Sequence, residues 1–236
     1  MRRWRFLMAA CGLLLLVAGT AAAAIPGPQH ALCPACFGLT RIAEGVYTDA
    51  PERAAELASF PAAADATASA FYGSRESGPR LILCASRACA ASFGVKAAGV
   101  TFGWHLVVIG PSGLNATIVT HERLHAELNV RLGLRSLTDD PVPVWFNEGL
   151  ATHLSGDTRF PGPFTAADII WVKSADTRHA WRRRLAEGGW TRGYGAAAAA
   201  VAQLEGAIGR DGLRRVIERV ADGVPFEVAL VAEGSS

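Results

Sequence analysis

An α+β fold, mostly helical with a small sheet placed ahead of a central helix, is predicted by three observations. Runs with strand character are short and lie before residue 110: residues 80–84, residues 104–109 and an extended stretch at 39–48. The central stretch 118–128 lacks Gly and Pro, so nothing in it breaks a helix. Later in the chain Leu213, Val216, Ile217 and Val220 follow the i, i+3, i+4, i+7 pattern, with Arg214, Arg215, Glu218 and Arg219 turned outward.

The chain begins with Arg2, Arg3 and Arg5, then an apolar run over 6–19 and small residues from Ala21 to Ala24. This is the pattern of a secretory signal peptide spanning 1–24. An uncleaved anchor is the alternative, because the apolar run to Ile25 is nearly long enough to span a bilayer. The alanine cluster and Pro26-Gly27-Pro28 favour cleavage, and a periplasmic or secreted location follows. Cys11 precedes most of the apolar run and reads as filler within it.

Residues 25–236 suffice for one domain with a substantial core, and they hold no second transmembrane candidate. The full chain carries a net charge of +2. Without the three arginines of the leader, 20 basic face 21 acidic side chains, leaving −1. That balance gives no general attraction to nucleic acid or to an anionic membrane. Four cysteines follow the leader: Cys33, Cys36, Cys84 and Cys89. An even count in an exported chain suggests disulfides, and closeness along the chain favours Cys33–Cys36 and Cys84–Cys89. Cys33-Pro-Ala-Cys36 could instead be a redox pair, but no βαβ thioredoxin pattern surrounds it. A four-cysteine zinc knot is a further alternative.

Asp49-Ala50-Pro51-Glu52 resembles a capped helix start, with the helix running to about Phe60. Pro61 opens a second, alanine-rich helix ending by Gly73, and 73–79 is a polar loop. Residues 89–93 allow a turn of helix. The central helix should start near Asn115 and stop at Gly133. A loop over 134–143 contains Asp139-Asp140-Pro141, and another helix spans about 144–154. Residues 173–192 are basic and studded with Trp181 and Trp190. They read either as a cleft wall meeting a carboxylate-bearing substrate or, preferably, as a solvated helix face with aromatic anchors.

Within the central helix lies His121-Glu122-Arg123-Leu124-His125. Residues four apart share a helix face, so His121 and His125 present two imidazoles to one point, as Zn²⁺ requires. Glu122 is offset by one residue and stands beside such a metal, where it can take a proton from activated water. A catalytic zinc needs a third protein ligand, and the best candidate lies in Trp145-Phe146-Asn147-Glu148-Gly149-Leu150-Ala151. Two solvated histidines on a surface helix are the bland alternative.

The two motifs together resemble the gluzincin metallopeptidases, the peptidase MA-like group. The resemblance covers the central third of the chain firmly and the C-terminal helices loosely. It implies a zincin-like fold holding one Zn²⁺ per chain on His121, His125 and Glu148. Glu122 would be the catalytic base, and Gly149 and Ala151 would let the second helix lie close against the first. It also implies an edge strand upstream of the zinc helix that pairs with the backbone of a peptide or protein substrate; the candidate is 104–109, which reads equally as an ordinary core strand. His105 on that strand reads as structural. A Tyr or His beyond the third ligand would stabilise the oxyanion. Tyr194, heading a helix on Ala196 to Ala200, is favoured over His179; His153 is off the metal-facing side. The Gly-x-Met-Glu-Asn stretch of the large aminopeptidases is missing between Gly94 and Thr120, which leaves an endopeptidase as the expected activity. Two alternatives remain: an exported zinc-containing binding protein on the same scaffold, and a thiol oxidoreductase using Cys33 and Cys36.

Overall fold

Three parallel strands, apolar at nearly every position, set the centre of the molecule. In the computed structural model, which describes residues 31–235, they belong to one five-stranded sheet. Its strands are β1 (Thr40–Ala43), β2 (Val46–Thr48), β3 (Arg80–Leu83), β4 (Gly99–Phe102) and β5 (Leu106–Ile109), in the order β1-β2-β3-β5-β4. β2, β3 and β5 run parallel, with Leu83 opposite both Thr48 and Ile109. β1 and β4 are antiparallel additions at the two edges. The expected leader, 1–24, lies outside the described residues.

Both faces of the sheet are covered, which is why its inner strands lack polar alternation. Ile82 and Val108 point to one side, under the Cys84–Cys89 disulfide, Phe93 and Val95. Leu81, Leu83, Val107 and Ile109 point to the other, against Leu57, Ala64, Ile118, Val119 and Ala126. The helices supplying that second layer are α1 (Ala54–Leu57), α2 (Phe60–Tyr72) and the central α4 (Ala116–Leu132); α3 (Arg87–Ser92) sits on the first side. Beyond α4 follow the short α5 (Arg135–Thr138), α6 (Val144–Leu154), α7 (Ala166–Lys173), α8 (Arg178–Ala221) and α9 (Phe226–Gly234). These pack a third core through Leu128, Phe146, Leu150, Val201, Leu213 and Val216. α4 therefore lies between the sheet and the C-terminal helices, touching both.

The predicted α+β class, mostly helical with a small sheet ahead of the central helix, holds. So do the central helix, capped by the Asn115 side chain on Ile118 N, and the helix at 144–154. α8 is long only by continuity. Gly189 and Gly209 break it with φ of 79° and 73°, a region that L side chains avoid.

Three expectations change. Asp49 does not cap its own helix: its carboxylate accepts Ala85 N and Ser86 N at 2.7 and 3.0 Å, closing the loop after β3. The stretch 104–109 is not a sheet edge, because β5 is enclosed by β3 and β4; the edge beside α4 is β4. The connection at 134–143 holds the helical turn α5. The cysteines pair as Cys33–Cys36 and Cys84–Cys89, which removes the four-cysteine knot and fits an oxidising, exported environment. Among the described residues no helix is long and apolar enough to cross a membrane.

Candidate metal centre

Burial on both sides forces an unusual economy on α4: its charged residues are inside. His121 and His125 are 5% and 9% exposed, and one turn of helix aligns them. α6 brings Glu148 to the same point. The His121 and His125 Nε2 atoms are 3.0 Å apart, and each is 3.5 Å from Glu148 Oε2. A tetrahedral zinc with ligand bonds of about 2.0–2.1 Å would separate its donors by about 3.3 Å. The three donors therefore stand at the spacing one small cation demands.

The protonation pattern agrees. Asn147 Oδ1 lies 2.7 Å from His125 Nδ1 and accepts its N–H, so neutral His125 turns a lone pair toward His121 and Glu148. Two imidazole nitrogens facing each other at 3.0 Å need a proton or a cation between them. Burial disfavours charge on His125, but the Glu148 carboxylate outweighs it and lifts the imidazole pKa to about 9. Burial likewise opposes charge on Glu148, yet the His125 and His121 imidazoles hold its carboxyl well below the usual range. A metal cation can replace that shared proton. His121, His125 and Glu148 thus form a group that could hold a metal ion.

Glu122 stands outside the triangle, as its offset predicts. Thr101, on β4, sets its hydroxyl between Glu122 Oε2 at 2.7 Å and the Glu122 carbonyl oxygen at 2.8 Å, both acceptors. Gly99, two residues earlier on the same strand, leaves room for the carboxylate: a Cβ there would fall 2.6 Å from Glu122 Cγ and 2.7 Å from Oε1. The sheet edge therefore grips this side chain directly. Sequence reasoning missed Thr101 and Gly99, since nothing in the pattern at 99–102 shows what lies across from it. It also gave Asn147 no role, although Asn147 sits beside Glu148 within the second motif; adjacency on one helix is what lets the pair straddle the His125 ring.

Gly149 serves a different contact from the one expected. A Cβ there would lie 2.4 Å from Ala197 O, so its smallness admits α8 rather than α4. Ala151 is buried in the same C-terminal core.

Tyr194 lines the cleft over the cluster, its ring 6.3 Å from that of His121. It does not head a helix but lies inside α8, just past the Gly189 break. Phe160 and Trp190 stack on it at 4.9 and 5.5 Å, and Trp181 meets it edge-on at 5.1 Å. Burial first, then the Glu148 and Glu122 charges, push its phenol well above the ordinary value, so the hydroxyl remains a donor. His179 is exposed and does not line the cleft. His153 bonds Glu205 at 2.5 Å, away from the triangle.

The cleft encloses about 380 Å³ between β4 and the first turns of α8. A smaller recess of about 110 Å³, under Phe160 and Arg159, shares His121, Glu122 and Tyr194 with it. The basic stretch 173–192 divides between its two readings. Arg184 and Arg192 lie over Trp171 on the outer surface, whereas Arg178, Trp181 and Arg182 line the cleft. Comparison with protein-family models, with curated proteins and with solved structures finds no match to this chain.

Proposed function

We propose that this chain is an exported zinc-dependent peptidase with a zincin-like fold, a gluzincin-type enzyme acting as an endopeptidase. One observation carries the reading. Three donors converge at cation spacing while a fourth group, the Glu122 carboxylate, is held beside them by a separate strand, free of the triangle. A purely structural metal site has no use for that fourth group.

A zinc ion on His121, His125 and Glu148 would supply Lewis acidity toward water and the scissile carbonyl. The protein's own residues divide the remaining work. The Glu122 carboxylate, oriented by Thr101, takes the proton of the attacking water and passes it to the leaving amine. Asn147 keeps the His125 tautomer and ring orientation fixed. The Tyr194 hydroxyl donates to the developing oxyanion. β4, at the sheet edge beside Glu122, offers its outer backbone groups to an extended peptide. The leader pattern and the two disulfides support export.

The test is digestion of a broad peptide library by zinc-loaded protein. Cleavage within peptides is expected, stopped by a chelator, and lowered about 10²–10⁴-fold by Glu122→Gln while the metal is retained. Undiminished turnover by Glu122→Gln rejects the role of the base. Retained metal with no cleavage by the wild type rejects the peptidase in favour of a binding protein.

A further inference from the structure

We infer that the cleft is selective for a substrate bearing a carboxylate, and that Arg182 is the residue that selects it; this rests on the peptidase reading of the same site. The basis is how the arginines near the cleft are used. Arg178, on the first turn of α8, donates Nε to Asp140 Oδ1 at 3.0 Å. Arg184 is bound to Ser174 and Glu187, and Arg192 to Asp168. Arg183 has Glu187 at 4.0 Å. Arg159, at the other end of the site, is bidentate on Asp157, Nε to Oδ1 and Nη2 to Oδ2. Arg182 differs from all of these: it has no hydrogen bond or ion pair to any described residue, and it lines the same cavity as His121, Glu122 and Glu148.

Helical geometry gives the placement its meaning. Arg178 and Arg182 are four apart, so they share one face of α8, and that face is the cleft wall. Trp181 and Leu185 give this wall an apolar body. Asp140 answers only the first of the two guanidinium groups. The acidic groups on the cavity floor, Glu122 and Glu148, are committed to Thr101 and to the histidines. An extended substrate lying along β4 therefore meets one open guanidinium fork on the facing wall, a geometry that suits a carboxylate better than an amide. The carboxylate can belong to an Asp or Glu side chain or to a free chain terminus.

The experiment uses zinc-loaded full-length protein and internally quenched peptides built on single sequences drawn from the library. Glu or Gln occupies each position in turn, and each peptide is made with a free or an amidated C-terminus. At one position Glu should exceed Gln in kcat/KM by about tenfold, the size of one charge-assisted hydrogen bond. Arg182→Gln should remove that preference while leaving the Gln peptide within about twofold of wild type, and Arg182→Glu should invert it toward Lys. A preference that follows the free terminus rather than an internal Glu assigns the site to C-terminal carboxylates. The same peptides are titrated against Glu122→Gln protein, read by the fluorescence of Trp181 and Trp190 in the cleft wall. Tighter Arg182-dependent binding of the carboxylate form, with no cleavage by the wild type, would sustain the carboxylate site and reject the peptidase. Equal cleavage and equal binding of Glu and Gln forms, unchanged in Arg182→Gln, would overturn the carboxylate site and leave the peptidase standing.

Discussion

α4 buries two polar stripes on opposite sides, and they behave differently. At about 100° per residue, Arg123 and Glu127 lie across the helix from His121 and His125. On the rear stripe every charge is answered. Arg123 bonds Asp65 at 2.7 Å, Ser77 O at 2.7 Å, the Ser77 hydroxyl, and Glu127 at 3.1 Å. Glu127 also takes Glu76 N, Ser77 N and the Ser77 hydroxyl at 2.6, 3.1 and 2.6 Å, and it pairs with Arg131. On the front stripe the groups converge on one point: two Nε2 atoms face each other beside Glu148 Oε2, and His121 Nδ1 is buried with no partner among the described residues. A saturated network fastens a helix. A convergent set of donors could hold a metal ion.

Breaking the rear stripe should give the largest effect. Glu127→Ala removes one of the two carboxylates that answer the buried Arg123 and leaves the Glu76 and Ser77 amides without their acceptor, which together costs about 3–5 kcal/mol of stability in urea unfolding. A loss below about 1 kcal/mol would mean this stripe is solvated after all, and the contrast between the faces would fail. Across the cleft from the front stripe, Tyr194→Phe should lower kcat by about 10²–10³-fold with metal content and stability nearly unchanged. A loss of under about threefold would place the oxyanion donor elsewhere. Asn147→Ala frees the His125 ring and should weaken metal binding by about 10–100-fold in a chelator competition. Unaltered affinity would remove Asn147 from the site.

The smallest effect is in pH, and it belongs to the rear stripe. Burial opposes charge on Glu127, but the Ser77 hydroxyl, Arg131 and two backbone amides together bring its pKa down to about 2 from 4.5. A carboxyl depressed in the folded state stabilises fully above its unfolded value and loses that contribution as pH falls through the folded one. The stability gap between wild type and Glu127→Gln should therefore hold from neutrality to about pH 4.5 and narrow toward pH 2. A gap that widened as pH fell would contradict this assignment.

Much of the front stripe was legible because its signals are local. The i, i+4 histidines, the helix start near Asn115, the Gly133 stop and the 144–154 helix all follow from neighbours in sequence. The rear stripe was not. Charges at i, i+4 ordinarily mark a solvent face, and the burial of Arg123 depends on Asp65 and Ser77, some 58 and 46 residues away. The strand order failed for the same reason: β5 reads as readily as an edge as an interior strand until β4 is seen to close against it. Gly149 announced a close approach, but not that Ala197 would be the neighbour. Tyr194 enters as a candidate through the family resemblance, whereas its aromatic cage of Phe160, Trp181 and Trp190 arises only when separate segments meet.

The most direct test is the metal content of the purified protein, measured by elemental mass spectrometry on wild type, His121→Ala, Glu148→Ala and Glu127→Gln. One zinc per chain is expected in the wild type and in Glu127→Gln, and substoichiometric metal in the two front-stripe variants. A wild type without metal after incubation with zinc, or zinc retained at full stoichiometry in both His121→Ala and Glu148→Ala, would contradict the assignment of the front stripe as a metal site.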